Sequence, residues 1–406
     1  MPRILLLLPT ATYRAPDFVA AAGRLGVEVV VGSEQPQALA SAMGDRAVVL
    51  PLDAPEAAVE AIAAVHTRTP LDAVVAVDDQ GVAVAALAAE RLGLRGNPPA
   101  AVAATRDKSV MRRRLAAASV PQPEFRLVPA TGDAGAAGAE VGFPCVVKPL
   151  SRSGSQGVIR ADDAGAAREA ARRIASIAGG RPEPVLVERF VPGAEVAVEG
   201  LLDGGRLELL AVFDKPDPMD GPYFEETVYV TPSRQPPAAL AQLHAVTAAA
   251  AAALGLREGP LHAEARIGTD GTVTLLEVAA RSIGGLCSRS LRFGAGVSLE
   301  EVIVRHAVGL GTGDLVREER ASGVMMLPIR AEGILVGVTG QDEALATDGV
   351  VGLEISIAPG RPLVPLPEGD RYLGFLFARG DTPEQVDESL RRAEACLTVT
   401  VRPQGS

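Results

Sequence analysis

The chain has 406 residues, a length that exceeds one ordinary hydrophobic core and predicts two or three domains. Hydrophobic residues make up 48% and charged residues 22%, which is typical of a folded, water-soluble protein rather than a disordered one. The formal net charge of −11 argues against nucleic acid or an anionic membrane as a partner, and the low aromatic content (3%, no tryptophan) argues against a base-stacking platform.

The three cysteines, Cys145, Cys287 and Cys396, are widely spaced and form no C-x-x-C pair. This usage indicates a reducing compartment and no structural zinc. The first apolar run ends at Pro9 and is too short for a signal or membrane segment. We therefore expect a cytoplasmic protein.

Residues 1–104 alternate short apolar runs with alanine-rich helical patterns. This alternation predicts a small doubly wound α/β sheet. No G-x-G-x-x-G follows the first run, so a dinucleotide site is not expected. The predicted strands are 4–8, 27–31, 47–50 and 73–77, and the predicted helices are 18–26, 55–66 and 81–92.

Asp78, Asp79 and Gln80 follow the last of these strands. Open α/β sheets place ligand-facing residues at that position, although capping of the next helix is an alternative role for the two acids. The sequence Gly96-Asn97-Pro98-Pro99 then breaks the pattern and marks a domain boundary.

A glycine- and serine-rich loop, residues 151–158, follows a predicted strand that ends at Lys148. Such a loop can aim backbone N–H groups at phosphate oxygens while the lysine supplies a point charge. It is not a P-loop, because no Gly-Lys-Ser/Thr closes it, and a plain β-turn is the alternative reading. Helices are predicted on either side, at 109–118 and 164–178, and Lys108 precedes the first of them.

Residues 184–199 hold two apolar strands around a Pro-Gly break, whose unpaired backbone groups suit a flat heterocycle. Glu195 lies where it can accept hydrogen bonds from ribose hydroxyls. A further strand, 207–213, leads to Lys215.

The segment 218–231 is predicted to be a loop. Its charged and aromatic side chains, which include Glu226 and Tyr229, suit contact with a substrate. A helix is predicted next, at 238–254.

Two apolar-rich arms then flank Thr269-Asp270-Gly271, a turn sequence that suits a β-hairpin. Glu264 lies on the first arm and Glu277 on the second, so the hairpin can bring both carboxylates to one end of a sheet. Arg281 and a glycine pair follow at once. Two hard oxygen ligands, a guanidinium and a flexible turn are what a Mg²⁺–triphosphate site requires.

From about residue 311 the charged motifs thin out, and the pattern predicts a small α+β domain that serves closure or dimerisation rather than catalysis. A homodimer is therefore expected. A helix is predicted at 299–309, before this domain. Within it, the predicted strands are 324–329, 334–338, 353–357, 373–378 and 397–401, and the predicted helix is 383–396.

The order of these features resembles the ATP-grasp superfamily. The segments PLHAEARI, LLEVAARSIGG and PYFEETVYVTPS look like its L-amino acid ligase branch, which includes bacterial dipeptide synthetases. The resemblance covers about residues 1–310, and the tail is similar to the C-terminal domains of peptide-forming members. It implies a doubly wound N-terminal domain (1–104), an ATP-grasp domain (105–310, with subdomains at about 105–184 and 185–310) and an α+β C-terminal domain (311–406).

The resemblance also implies ATP and Mg²⁺ (or Mn²⁺) as cofactors and places each motif in a role. Phosphates would be held by Lys108, Lys148 and Lys215 under a loop containing Gly154, Ser155 and Gly157. Adenine would face Glu188, Phe190 and Val191, and ribose would face Glu195. Metal would be held by Glu264 and Glu277, with Arg281 and Glu226 as catalytic residues, and the amino acid would contact Glu226, Tyr229, Gly284 and Gly285.

The implied reaction is ATP-dependent amide formation from an amino acid carboxylate and an amine through an acyl-phosphate. The family pattern commonly has asparagine two residues after the second glutamate, where this chain has Ala279. Ala279 makes a non-catalytic nucleotide-binding relative one alternative. Another ATP-grasp chemistry, that of a carboxyphosphate or formyl-phosphate enzyme, is the other. His262 either assists deprotonation or forms a structural hydrogen bond, and Cys287 is expected to be a small buried residue.

Overall fold

The computed structural model describes residues 1–10, 12–36, 43–312 and 315–403. Its N-terminal part is a parallel sheet in the order β3-β2-β1-β4, with helices between the strands, as the alternating pattern predicts. All five residues of β1 are buried, which explains why that strand reads as an unbroken apolar run. The elements are β1 (Arg3–Leu7), α1 (Ala15–Arg24), β2 (Glu28–Ser33), β3 (Ala47–Val49), α2 (Pro55–Arg68), β4 (Ala73–Ala76) and α3 (Val82–Leu92).

Two short helices, α4 (Pro99–Arg106) and α5 (Lys108–Ala117), lead into a small antiparallel sheet. Asp107 caps α5 by accepting from the backbone N–H groups of Ser109 (2.8 Å) and Val110 (3.1 Å), which fixes Lys108 at the first helical position. The sheet has the order β5-β8-β6-β7. Its elements are β5 (Phe125–Val128), α6 (Ala134–Val141), β6 (Cys145–Pro149), β7 (Ile159–Ala161), α7 (Ala164–Ile177) and β8 (Val185–Arg189).

The largest layer is an eight-stranded sheet in the order β13-β12-β9-β10-β11-β14-β18-β16. Its first five strands precede the tail. These and their helices are β9 (Ala194–Asp203), β10 (Arg206–Asp214), β11 (Val228–Thr231), α8 (Pro237–Leu254), β12 (Gly259–Ile267), β13 (Val273–Ala279) and α9 (Leu299–Ala307).

The tail completes the same sheet and adds a small three-stranded one in the order β17-β15-β19. Its elements are β14 (Ala321–Leu327), β15 (Gly333–Thr339), α10 (Gln341–Leu345), β16 (Val350–Ile355), β17 (Pro362–Leu363), β18 (Gly374–Gly380), α11 (Pro383–Cys396) and β19 (Thr398–Arg402). Because β14 pairs with β11, the tail is continuous with the eight-stranded sheet. The domain boundaries stay predictions.

The prediction of a loop across 218–231 is wrong at its C-terminal end. Val228–Thr231 is a fully buried strand that pairs antiparallel with Ala321–Leu327. A buried four-residue strand has no alternation of polar and apolar residues, so its pattern cannot be told from that of an aromatic loop.

Helix α8 is long and apolar enough, by length and composition alone, to cross a membrane. Within the fold, however, its Leu243, Ala250 and Leu254 belong to the core that also contains Leu261 of β12 and Leu275 of β13. The helix thus packs behind the hairpin on which the two glutamates lie.

Candidate active site

The hairpin places its two glutamates directly opposite each other. Glu264 of β12 is the cross-strand partner of Glu277 of β13, and a bulge immediately follows the pair. Directly paired residues on antiparallel strands point to the same face of the sheet. The turn between the strands forms as predicted, with Asp270 accepting from the backbone N–H of Thr272 (3.0 Å) and Gly271 at φ +83°.

Both carboxylates face a cavity of about 380 Å³. Their side chains are 23% (Glu264) and 33% (Glu277) exposed, so they are open to a ligand. Two convergent carboxylates are a hard-oxygen donor set that fits Mg²⁺ or Mn²⁺. Ala279 also lines the cavity and offers no side-chain oxygen, so within the described chain the hairpin offers two candidate metal ligands rather than three.

Two of the predicted lysines reach the cavity from different elements, Lys108 from the start of helix α5 and Lys148 from strand β6. The Nζ of Lys108 lies 3.1 Å from Oε1 of Glu277 and donates to the carbonyl oxygen of Arg152 at 2.7 Å. The Nζ of Lys148 lies 2.7 Å from Oε2 of Glu188. Burial lowers the pKa of Lys148, and the neighbouring Glu188 limits that effect. Both ammonium groups are therefore held at the mouth of the glutamate pair.

A buried ion-pair triad fixes Lys148. The other carboxylate oxygen of Glu188 accepts from Nε of Arg112 at 2.6 Å, and Arg112 is fully buried and also donates to the carbonyl oxygen of Leu276 at 2.6 Å. Burial alone would raise the pKa of Glu188, but Arg112 and Lys148 together lower it to about 2. Glu188 lines the cavity as predicted, yet both of its oxygens are already engaged by cations.

The glycine loop has the backbone that its composition predicts. Gly154 (φ +62°), Ser155 (φ +56°) and Gly157 (φ +73°) all lie in the left-handed region. Gly154 and Ser155 border the cavity. Gly157 instead faces the tail, where its N–H donates to the carbonyl oxygen of Pro367 at 3.0 Å.

Lys215 is the centre of a buried cluster of carboxylates. Its Nζ lies 2.8 Å from Oε1 of Glu195, 2.7 Å from Oε1 of Glu226 and 3.3 Å from Oε1 of Glu264. Although burial opposes it, these three acids raise the pKa of Lys215 well above its ordinary value. The second oxygen of Glu195 accepts from Nε of Arg266 at 3.0 Å. The third predicted lysine therefore links the proposed ribose acid to one metal-binding acid.

Glu226 also binds two tyrosine hydroxyls, one of which comes from the tail. Tyr229 donates to its Oε1 at 2.6 Å, and Tyr372 donates to its Oε2 at 3.1 Å. Burial would raise the pKa of Glu226, but Lys215 and the hydrogen bonds with Glu264 and Tyr229 outweigh this effect and lower the pKa. The tail, which is predicted to serve closure or dimerisation, thus contributes Asp370, Arg371 and Tyr372 to the lining of the cavity.

The guanidinium of Arg281 is held by the N-terminal sheet. Its Nε lies 3.0 Å from Oδ2 of Asp79, whose other oxygen lies 3.4 Å from Arg106. Burial would lower the pKa of Arg281, but Asp79 raises it above its ordinary value. Neither Asp78 nor Asp79 caps α3, because its N-cap is Gly81 and no side chain caps it. Asp79 is thus a cavity residue that positions the predicted catalytic arginine.

The glycine pair after Arg281 lines the cavity as well. Gly285 has φ +58°, and a Cβ at this position would lie 2.8 Å from the ring of Phe375. Any side chain there would collide with the tail strand β18, so the close approach requires glycine. Gly284 has open space around its Cα.

His262 has a supporting position. Its Nδ1 lies 2.6 Å from Oε1 of Glu199, and its Nε2 lies 3.5 Å from Glu264. Burial would lower the pKa of His262, but the hydrogen bonds to Glu199 and Glu264 raise it to about 9. The second oxygen of Glu199 accepts from the N–H of Ile283 at 3.0 Å. This geometry favours the structural role, in which His262 orients Glu264.

Phe190 and Val191 form the wall of the cavity nearest the four-stranded sheet that carries the glycine loop. The guanidinium carbons of Arg160 and Arg266 lie 4.8 Å and 4.9 Å from the Phe190 ring centre, and Phe224 stacks on the ring at 6.4 Å. The carbonyl oxygen of Val191 accepts from Arg266 at 2.8 Å. This aromatic and cationic wall suits a planar heterocycle.

Cys287 lines the cavity but is buried, and burial raises the pKa of its thiol. A protonated buried thiol is a poor nucleophile. The interpretation of Cys287 as a small core residue agrees with this environment.

Comparison with known protein families agrees with this architecture. An ATP-grasp domain matches residues 141–290, an ATP-grasp N-terminal domain matches residues 19–96, and L-amino acid ligase C-terminal domain 2 matches residues 325–402. Together these matches span most of the chain. The chain therefore belongs to the ATP-grasp superfamily, and the predicted fold class is confirmed.

Within that superfamily the likeness to amino acid ligases is the most specific. The alanine–anticapsin ligase of Bacillus subtilis (strain 168) is 29% identical over 249 residues, which cover 56% of this chain and 52% of that relative. The crystal structure of L-amino acid ligase from Bacillus licheniformis superposes with a TM-score of 0.81 at 24% identity and covers 99% of both chains.

Other chemistries share the fold. A carboxyaminoimidazole ribonucleotide synthase from Aspergillus clavatus complexed with ATP has a TM-score of 0.74 at 16% identity, over 97% of this chain and 98% of that one. Moreover, this chain spans only about half to two thirds of the length of the curated relatives it matches.

Proposed function

We propose that this protein is an ATP-dependent carboxylate–amine ligase that joins an amino acid to an amine through an acyl-phosphate and releases ADP and phosphate. The observation that carries the proposal is the convergence of Glu264, Glu277 and Arg281 on one cavity. Two buried lysines, Lys108 and Lys148, border the same space. Carboxylates for a metal and positive charge around the phosphates are what transfer of a phosphoryl group demands.

The nucleotide would lie between the two sheets that flank the cavity. Lys148 and the loop residues Gly154 and Ser155 would bind the phosphates from one side, and the Phe190 wall would take the adenine. Glu195 is held by Lys215 and Arg266 and lies beside that wall, in position for the ribose hydroxyls. Mg²⁺ or Mn²⁺ held by Glu264 and Glu277 would neutralise phosphate charge.

The proposed reaction has two steps, phosphoryl transfer and amide formation. A carboxylate oxygen of the amino acid attacks the γ-phosphorus of ATP, the bond to the β-phosphate oxygen breaks, and ADP leaves. The amine nitrogen then attacks the acyl carbon, the carbon–oxygen bond to phosphate breaks, and phosphate and one proton leave. Arg281, fixed by Asp79, offsets the negative charge that develops in both steps.

The cavity is partly covered, which would limit the access of water to the acyl-phosphate. Tyr372 and the glycine loop close it from the tail side, since Gly157 and Gln156 both donate to the tail loop. Exclusion of water is what favours attack by the amine over hydrolysis.

A phosphate-release assay tests the proposal. The protein is mixed with Mg-ATP and each of the twenty amino acids, alone and in pairs, and products are identified by mass spectrometry. Phosphate release that depends on amino acids, together with an amide product, is expected. Turnover stimulated only by bicarbonate or formate would favour a carboxyphosphate or formyl-phosphate enzyme. ATP binding without turnover on any carboxylate would refute the enzyme assignment.

A further inference from the structure

The acids that line the cavity are almost all paired with cations. Within the described chain, eight carboxylates border it, and seven of them have an ion-pair partner within 4 Å. The paired acids are Asp79, Glu188, Glu195, Glu226, Glu264, Glu277 and Asp370. The eighth is Asp78, for which the described residues supply no ion pair.

Asp78 has only neutral hydrogen-bond donors. The backbone N–H of Gln80 donates to its Oδ1 at 3.3 Å, and the hydroxyl of Thr12 is its other donor. Burial raises the pKa of Asp78, and these hydrogen bonds only partly offset that effect. The site therefore holds a carboxylate whose negative charge no side chain in contact neutralises.

Arg14, whose charge lowers the pKa of Asp78, is committed to other partners. Arg14 donates to the carbonyl oxygen of Val77 at 2.8 Å and to Oγ of Ser282 at 2.9 Å, and it lies 3.4 Å from Glu300. Arg14 is buried and therefore cannot swing out to pair with Asp78 without breaking these contacts. A mobile cation that enters the cavity can take the free position.

Asp78 is also the immediate neighbour of the residue that fixes Arg281. Asp79 holds Nε of Arg281 at 3.0 Å, and both aspartates line the same cavity at the carboxyl end of β4. An α-amino acid carries its positive ammonium one carbon away from its carboxylate. A substrate whose carboxylate lies at Arg281 can therefore place its ammonium group on the Asp78 side, since Asp78 and Arg281 line the same cavity.

We propose that Asp78 binds the ammonium group of the amino acid whose carboxylate is phosphorylated. This inference rests on the proposed ligase function and makes it more specific. It assigns the acyl-donor subsite to free α-amino acids, and it excludes acids without a neighbouring cation as efficient donors. A site in which a carboxylate binds the ammonium group of the substrate discriminates strongly against an analogue that lacks this group.

The test compares two substrates in two enzymes. The substrates are the amino acid with the highest turnover in the phosphate-release screen and the same acid without its amino group. Hydroxylamine serves as the common nucleophile, because it captures an acyl-phosphate as a coloured hydroxamate. The enzymes are the wild type and Asp78→Asn, which keeps the size and the hydrogen-bond acceptor but removes the charge.

The loss of a charge-assisted hydrogen bond predicts a fall of about 10- to 100-fold in kcat/KM for the amino acid. For the deaminated acid the change should be less than about threefold, because no ammonium is present to lose its partner. Asp78→Glu, which retains the charge, should recover part of the activity. Glu90→Gln is the matched control on exposed α3 and should behave as wild type.

Equal losses for both substrates, or no loss for either, would overturn the assignment of Asp78. ATP affinity and the thermal unfolding midpoint of each variant identify a loss caused by misfolding. If Asp78→Asn is misfolded, the wild-type enzyme alone decides. Its kcat/KM for the amino acid is divided by its kcat/KM for the deaminated acid, and a ratio near one overturns the proposal. Failure of the wild type to turn over any amino acid would instead refute the ligase function itself.

Discussion

Replacing Arg112 by methionine should destabilise the protein and weaken the phosphate site together. Arg112 is fully buried, lies 2.6 Å from Glu188 and does not line the cavity. Methionine has a similar length but leaves the buried Glu188 with Lys148 as its remaining cation. Removing one member of a buried ion pair costs about 3–5 kcal/mol, because the other charge loses its partner.

The pKa of Glu188 gives an independent magnitude. That pKa is lowered from 4.5 to about 2, which corresponds to about 3 kcal/mol of preference for the ionised form in the folded state. A carboxyl group whose pKa is lower in the folded than in the unfolded state stabilises the folded protein at every pH above its unfolded-state pKa. This stabilisation is lost as the pH falls through the folded-state pKa. The contribution is therefore complete near neutral pH and disappears between about pH 4.5 and pH 2.

Urea unfolding at neutral pH measures the effect, with Arg113→Met on the exposed side of the same helix as the control. Arg112→Met should lose about 3–5 kcal/mol, and the control should stay within about 0.5 kcal/mol of wild type. A double-mutant cycle with Glu188→Gln should show strong coupling between the two positions. A loss below about 1 kcal/mol for Arg112→Met, or weak coupling in the cycle, would refute the triad as the support of Lys148.

Three further predictions follow from the site. Glu277→Ala and Arg281→Ala should each lower kcat by at least about 100-fold while the circular dichroism spectrum is unchanged, and near-normal turnover in either variant would contradict the proposed roles. Glu368→Ala removes the ion-pair partner of Arg173 (2.6 Å) beside the glycine loop. It should raise the KM for ATP about two- to fivefold with little change in kcat, a modest effect because the pair is half exposed. An unchanged KM would show that this contact does not support closure. Ellman's reagent should modify one thiol in the native protein, that of the exposed Cys396, and Cys396→Ser should abolish the reaction, whereas rapid labelling of Cys287 would contradict its raised pKa.

Local patterns predicted the parts of the fold that depend on local forces. The β-hairpin was predictable because a turn sequence separates two apolar arms, and this fixes Glu264 opposite Glu277. Likewise, the order of a strand, a lysine and a glycine-rich loop predicted the positions of Lys148 and Ser155. The buried parallel strands of the N-terminal sheet were predictable because each is an apolar run.

Contacts between residues distant in sequence could not be predicted in this way. Arg281 meets Asp79 across 202 positions, and Tyr372 meets Glu226 across 146 positions. Arg112 reads as one of three consecutive arginines on a helix, a pattern that is usually solvated, and only the packing against β8 shows that it is buried. The sequence pattern does show that Asp78 and Asp79 follow a strand, but which of the two is already paired emerges only from the three-dimensional arrangement.

Transfer of carboxylate oxygen to phosphate tests the central claim most directly. An amino acid labelled with ¹⁸O in its carboxylate is turned over with Mg-ATP and an amine, and the phosphate released is examined by ³¹P NMR. Attack of the carboxylate on the γ-phosphate predicts one ¹⁸O atom in phosphate for each amide formed. Unlabelled phosphate, or release of AMP and pyrophosphate instead of ADP and phosphate, would contradict the acyl-phosphate mechanism.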